Sequence, residues 1–196
     1  GQFKLEASGG PTTITLWLAL DPGAYDWDAE LARRREATRP TIEAVSTPTQ
    51  QRLARAANDF IVYRKSPDGG DGTSVLAGYP WFADWGRDTF IAMRGLCLAA
   101  GRVAEARAIL LQWSDALSRG MLPNRFPDSG QAPEFNAVDA SLWFVIAVQA
   151  FLDEAARSEH AVRARDHRAF DRAIRQIVEG YAAGTRHGIR MDDDAL

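Results

Sequence analysis

From residue 47 onward, apolar positions in this 196-residue chain recur mostly at three- and four-residue spacing, the pattern of helices with one buried face. Val103, Ala106, Leu110, Trp113 and Leu117 line one face of a helix predicted over 103–119, and Gly120 provides its stop. Val162, Phe170, Ala173, Ile177 and Tyr181 do the same over 161–183, which ends at Gly184. Further helices are predicted over about 88–99 and 137–157. Thr47-Pro48-Thr49-Gln50 is a helix start, with a capping hydroxyl, proline at the first helical position and glutamine three residues after the cap. Leu53, Ala57, Phe60 and Ile61 then carry that helix to about Lys65.

The start of the chain differs. Thr12 to Leu18 is β-branched or apolar with partial alternation, and Gly9-Gly10-Pro11 forms a turn before it, so residues 1–20 are expected to hold a strand. A lone strand needs a partner. Between 21 and 46 a short helix is expected near Trp27 to Arg35, with Arg33-Arg34-Arg35 as a solvated face. The connections alternate in length. The turn at 99–103, around Gly101, is tight. Those at 65–88 and 119–137 are long and contain all the candidate chemistry; long loops at one end of paired helices place a site on a rigid scaffold. Ser66 to Ala77 is expected to be a loop, with Pro67 and the glycines of DGGDG as turns. The chain shows no 34-residue repeat, against a simple solenoid.

Charge and composition narrow the function classes. With 23 basic and 26 acidic residues, the net charge of −3 is too balanced for an electrostatic nucleic-acid binder. No apolar run approaches the roughly 20 residues of a membrane span, and the N-terminus lacks the pattern of a signal peptide. The single cysteine, Cys97, sits in an apolar helical stretch, reads as a small buried hydrophobe and fits a reducing, cytoplasmic setting. His160, His167 and His187 are scattered without ligand spacing, and Asp68 and Asp71 do not space like a calcium loop, so no metal site is expected.

Gly78 to Phe90 reads GYPWFADWGRDTF and crowds Tyr79, Trp81, Phe82, Trp85 and Phe90 around Asp84, Arg87 and Asp88. Burying rings beside charges costs desolvation unless the charges are paired or meet a polar ligand. Sugars are such ligands, because their C–H faces stack on rings while their hydroxyls bond charged groups. Together with GMLPNRF (Gly120 to Phe126) and EFNAVDASLWF (Glu134 to Phe144), this stretch resembles the C-terminal α-1,6-glucosidase domain of glycogen debranching enzymes. The three motifs occur in that family's order, and the resemblance covers about residues 45 to 190.

The resemblance implies an all-α domain, part of an (α/α)6 toroid of antiparallel helix hairpins, with the site at its loop-rich end. It implies an inverting glycoside hydrolase that removes glucose stubs from glycogen or a branched α-glucan, using water and no cofactor. Its general acid falls on Asp139, and Arg87 with Asp88 falls on positions that grip the innermost glucose. Trp81 and Trp85 would be stacking platforms; Asn124, Arg125, Glu134 and Asn136 would add polar contacts, and Trp143 joins the candidate sugar contacts. If Asn136 caps the helix, Asp139 lies in its first turn near Phe135 and Trp143. Aromatic surroundings would raise its pKa as an acid requires, whereas the helix dipole would lower it. A standard helix-start carboxylate is the plainer reading of the spacing alone. Asp88 could equally be the N-cap of a helix beginning at Thr89, Trp81 and Trp85 could be core, and Glu134 could salt-bridge Arg87 or Arg125.

Twelve helices with connections need on the order of 200–300 residues, and the chain predicts five or six. Residues 46–196 are therefore expected to be the first part of a truncated domain, after residues 1–45 from the end of a preceding β domain and its linker. Glu154, Glu159 and Glu179 look like solvated helix charges, so the general base is expected beyond residue 196 and the chain alone is expected to be inactive. An open apolar edge would favour self-association. Two other classes fit less of the sequence. One is a carbohydrate-binding or interaction module without catalysis. The other is a diphosphate-handling helical enzyme, which would need Asp192-Asp193-Asp194 on a site-facing helix with magnesium.

Overall fold

The computed structural model describes residues 26, 28–29, 32–33, 35–36, 46–65, 71–78, 83–126 and 132–194. The chain divides into two compact units, Gly1–Arg39 and Pro40–Leu196. In the first, residues 28–29, 32–33 and 35–36 are helical, where a short helix was expected; the strand expected over 12–18 lies outside the described residues.

The second unit begins with α1 (Pro48–Asp59). Its capping box forms as the spacing predicts: Gln50 N donates to Thr47 Oγ1 at 3.2 Å and Thr47 N to Gln50 Oε1 at 3.2 Å. The helix stops at Asp59 rather than running to Lys65. Ile61–Lys65 instead forms β1, paired antiparallel with β2 (Asp71–Val75), with Ile61 opposite Val75 and Lys65 opposite Asp71. Ile61-Val62-Tyr63 is a run of good strand formers, and Thr73-Ser74-Val75 supplies a matching partner, so the expected loop is partly a hairpin. Val75 is buried in the core and Ile61 packs against it.

A second small sheet joins the two long connections. β3 (Asp84–Trp85) pairs antiparallel with β4 (Arg125–Phe126), and bridges extend it from Asp84 to Leu76 and from Arg125 to Glu134. Four helices pack beside it: α2 (Gly86–Met93), α3 (Val103–Asp115), α4 (Ala140–Arg157) and α5 (Ala164–Ala183). After α2 the chain widens into a π-helical turn, Arg94–Leu98, that directs the adjacent Cys97 and Leu98 both inward. Phe90 meets the edges of Trp113 at 5.2 Å and Phe144 at 5.3 Å, joining α2, α3 and α4. Such edge contacts contribute about 0.5–1.5 kcal/mol each beyond area burial. Phe126 lies 4.6 Å from Trp113 and ties the small sheet to this core.

α3 and α5 are joined by an ion pair on the buried carboxylate of Asp166. Arg107 donates Nε and a terminal NH2 to the two oxygens of Asp166, at 2.8 and 2.7 Å. At the other end of α5, Gly180 lies directly on Gly120. A Cβ on Gly180 would stand 2.5 Å from the Gly120 Cα, and Gly120 itself has φ +76°. Only glycine meets both demands at 120. The described residues are thus mostly helical, with five helices of eight residues or more in this unit and two short antiparallel sheets. None of the described helices is long and apolar enough to cross a membrane. On α4 and the residue before its cap, Val138, Leu142 and Ile146 stay exposed at four-residue spacing, one above another.

Candidate functional site

The turn from β3 into α2 is made by Gly86. A Cβ there would lie 2.8 Å from the Pro123 carbonyl oxygen and 3.1 Å from the Trp113 ring, and the Gly86 N–H donates to the Asn124 carbonyl at 2.8 Å. The first motif is thereby pressed onto the second. Asp84, buried, accepts from Ser74 Oγ at 2.7 Å and joins β3 to β2.

Arg87 follows in the first turn of α2 and reaches across to Asp139. Its Nε lies 2.9 and 2.8 Å from the two carboxylate oxygens, and a terminal NH2 donates to Oδ1 at 2.7 Å. Asp139 is not in the first turn of α4: it occupies the N-cap position itself, with φ −95° and ψ −15°, and Asn136 does not cap. Its side chain makes no capping bond, and Arg87 bonds both of its oxygens. The resulting charge state is the reverse of the one expected for a proton donor. Hydrogen bonding and charge from Arg87 hold the Asp139 carboxyl below the usual carboxylate range, outweighing the upward push of burial. The Arg87 guanidinium is correspondingly raised.

Asp88 is exposed and sits inside the first turn of α2, whose N-cap is Trp85, so it is not the cap. The helix dipole favours a carboxylate there. Beside Arg87 and Asp88 opens a groove of about 310 Å³ walled largely by Phe60, Leu76, Ile91 and Leu96.

The remaining polar candidates form a second cluster. Glu134 pairs with Arg125, at 3.1 Å, rather than with Arg87. The Arg125 guanidinium lies 5.7 Å from the Trp85 ring centre. Asn136 accepts from Asn124 at 3.2 Å and donates to Glu134 at 3.3 Å. Asn124 is buried, and its Oδ1 has no hydrogen-bond partner among the described residues. Trp143 packs partly buried against the core; Trp81 lies outside the described residues. Among the described residues, no three His, Cys, Asp or Glu side chains are grouped to hold a metal ion.

Residues 55–196, which include every described member of both clusters, match the family described as amylo-alpha-1,6-glucosidase. The chain belongs to the amylo-α-1,6-glucosidase family. It is also 34% identical, over 116 residues, to the glycogen debranching enzyme of Saccharomyces cerevisiae. That stretch is 57% of this chain but only 7% of the yeast enzyme, so the chain spans a small part of that relative's length.

In this amylo-α-1,6-glucosidase family member, sequence reasoning missed the residues behind the Asp139 segment. Tyr181 was read as part of an apolar helix face and His187 as a scattered histidine, yet both bond the backbone just before Asp139. A tyrosine ending an apolar stripe, with a polar tip to satisfy, is the one signal that pointed there.

Proposed function

We propose that residues 46–196 form the acid side of an inverting glycoside hydrolase site, which releases glucose from α-1,6-linked stubs of glycogen or a similar branched α-glucan in the cytoplasm. Asp139 is the general acid. Arg87 and Asp88 take hydroxyls of the innermost glucose; Trp81, Trp85 and Trp143 offer ring faces; Asn124, Arg125, Glu134 and Asn136 form the polar rim. The observation that carries this reading is the Arg87–Asp139 pair. It joins two of the sugar-site motifs, 52 residues apart in the chain, at the starts of two helices that pack together.

Inverting hydrolysis places one carboxylic acid on the leaving oxygen and a second carboxylate behind a water on the opposite face. The acid gives its proton as the bond from the anomeric carbon to the leaving oxygen breaks. The water adds to that carbon and loses its own proton to the second carboxylate. Paired with Arg87, Asp139 is held ionised, so the acid must be loaded. A glucose hydroxyl that engages the guanidinium draws Arg87 off Asp139, and the sugar ring excludes water from the carboxyl. Both changes favour the protonated form. Arg87 thus serves twice, as sugar ligand and as the group whose departure arms the acid.

The water-activating carboxylate is assigned to residues outside this chain, and the 196 residues alone are expected not to turn over. Glu154 pairs with Arg157 one helical turn away, and Glu159 and Glu179 are exposed. The α2–α3 and α4–α5 successions suit hairpins of a partial (α/α)6 toroid, whose other helices would cover the Val138, Leu142 and Ile146 stripe. Residues 1–45 are assigned to a preceding domain and linker. A binding module without catalysis is the second reading, favoured by the ionised state of Asp139, which suits an acceptor of hydroxyls. Incubating the enzyme that carries these residues with a branched limit dextrin separates the two. The hydrolase reading predicts release of glucose that is β when first formed. Glucose formed first as the α anomer would overturn inversion, and glucan binding without release would favour the module.

A further inference from the structure

The segment from Phe135 to Asp139 crosses between the small sheet and α4 without a strand or helix of its own, so its position depends on what grips it. Its start is held by backbone bonds: Asn124 N donates to Glu134 O at 2.7 Å and Glu134 N to Arg125 O at 3.0 Å. Its remainder is held by side chains from the last turn of α5 and the turn that follows it. Tyr181, half-buried, donates its hydroxyl to the Val138 carbonyl. His187 Nε2 lies 2.8 Å from the Phe135 carbonyl, and since a carbonyl only accepts, this nitrogen carries the proton. Arg186 lies 3.5 Å over the Phe135 ring and donates to Ser118 Oγ at 2.8 Å.

The grip is itself anchored. Gly180, one residue before Tyr181, rests on Gly120 and sets the depth of the last turn of α5. The turn that presents Arg186 and His187 is closed by Thr185 N to Ile189 O at 2.9 Å and Met191 N to Tyr181 O at 2.7 Å. The Val138 carbonyl and the Asp139 N–H belong to one planar peptide. Holding that carbonyl fixes the plane from which the Asp139 side chain departs. Burial first, and then the nearby Asp139 charge, raise the Tyr181 phenol, consistent with its closeness to the carboxylate.

We infer that Tyr181 and His187 are positioning residues for Asp139: by holding the Val138 and Phe135 carbonyls they fix the backbone that aims the carboxylate at Arg87 and at the glycosidic oxygen. The inference rests on the reading of Asp139 as the general acid. Productive geometry for such a group is held within about 0.5 Å, and a misplacement of about 1 Å can cost on the order of a hundredfold in rate.

The test has two readouts. In this chain, the side-chain carboxyl of Asp139 is titrated by carbon-13 NMR; the titratable groups facing it are Arg87 from α2 and Tyr181 from α5. Tyr181→Phe keeps the ring and removes only the donor. Both it and His187→Ala are expected to loosen the Arg87 contact and move the Asp139 midpoint upward. His187→Gln, whose amide nitrogen restores a donor at similar reach, should return it. In the enzyme that carries these residues, Tyr181→Phe is expected to lower kcat by about tenfold or more with KM held within about twofold. A midpoint and kcat unmoved by both Tyr181→Phe and His187→Ala would overturn the inference, whatever happens to the melting temperature. An Asp139→Asn enzyme with full activity would instead overturn the acid assignment, and the titration would still decide whether the grip sets the carboxylate.

Discussion

Replacing Arg87 with alanine removes the guanidinium that holds Asp139, and the strength of that pair can be worked from its geometry. Two unit charges about 4 Å apart attract by about 1 kcal/mol in bulk water and about 4 kcal/mol at an effective dielectric of 20. The two side chains are 46% and 35% exposed, which puts the pair near the water end of that range. Exposed pairs contribute about 0.2–1 kcal/mol. Contacts of 2.7, 2.8 and 2.9 Å, engaging both carboxylate oxygens, favour the upper end. A double-mutant cycle of Arg87→Ala and Asp139→Asn, measured by urea unfolding at low salt and pH 7, should therefore give a coupling of about 1 kcal/mol. The sign of its pH dependence follows from the depressed Asp139 carboxyl. The contribution is complete above the unfolded aspartate value of about 3.9 and is lost as pH falls through the lower folded value. A coupling near zero at pH 7, or one that persists unchanged after acid has protonated Asp139, would refute the argument that Arg87 stores the acid in its ionised form.

Two other predictions concern the scaffold. Arg107→Ala removes the bidentate partner of buried Asp166, which keeps the Arg163 N–H at 3.0 Å and Arg165 at 3.8 Å, and should destabilise the chain by about 1–3 kcal/mol in urea unfolding; an unchanged stability would mean that water reaches Asp166. Gly180→Ala puts a Cβ 2.5 Å from the Gly120 Cα and should cost about 1–3 kcal/mol in thermal or urea unfolding, whereas an unchanged midpoint would mean that α5 can lift off the turn freely.

Much of the helical scaffold was legible because one apolar face per helix leaves a clear period. The Thr47–Gln50 box and the glycines after α3 and α5 marked ends that the structure places within a few residues. The stretch from Phe60 to Val75 was misread for a physical reason. Phe60 and Ile61 fit a helical period, but Ile61, Val62 and Tyr63 also fit a strand, and the choice was made by pairing with 71–75 rather than by local preference. Asn136 looked like the cap of α4 because asparagine caps well. Its side chain is instead taken by Asn124 and Glu134, which leaves the N-cap position to Asp139. The charge state of Asp139 was beyond the sequence, since its partner stands 52 residues away and aromatic neighbours alone suggested the opposite shift. The motif residues themselves were legible through their resemblance to a family, and the match over 55–196 falls on the same stretch. Tyr181 and His187 were not, because hydrogen bonds to a distant backbone carbonyl leave no spacing to read.

The central claim is that Asp139 protonates the leaving oxygen, and a pair of substrates tests it most directly. Glucose release from an α-1,6-branched limit dextrin needs that proton, whereas release from α-glucosyl fluoride needs little help in leaving. In the enzyme that carries this chain, Asp139→Asn is predicted to slow the dextrin reaction by about 10²–10⁴-fold while largely sparing the fluoride. Equal rates for wild type and variant on the dextrin would contradict the assignment.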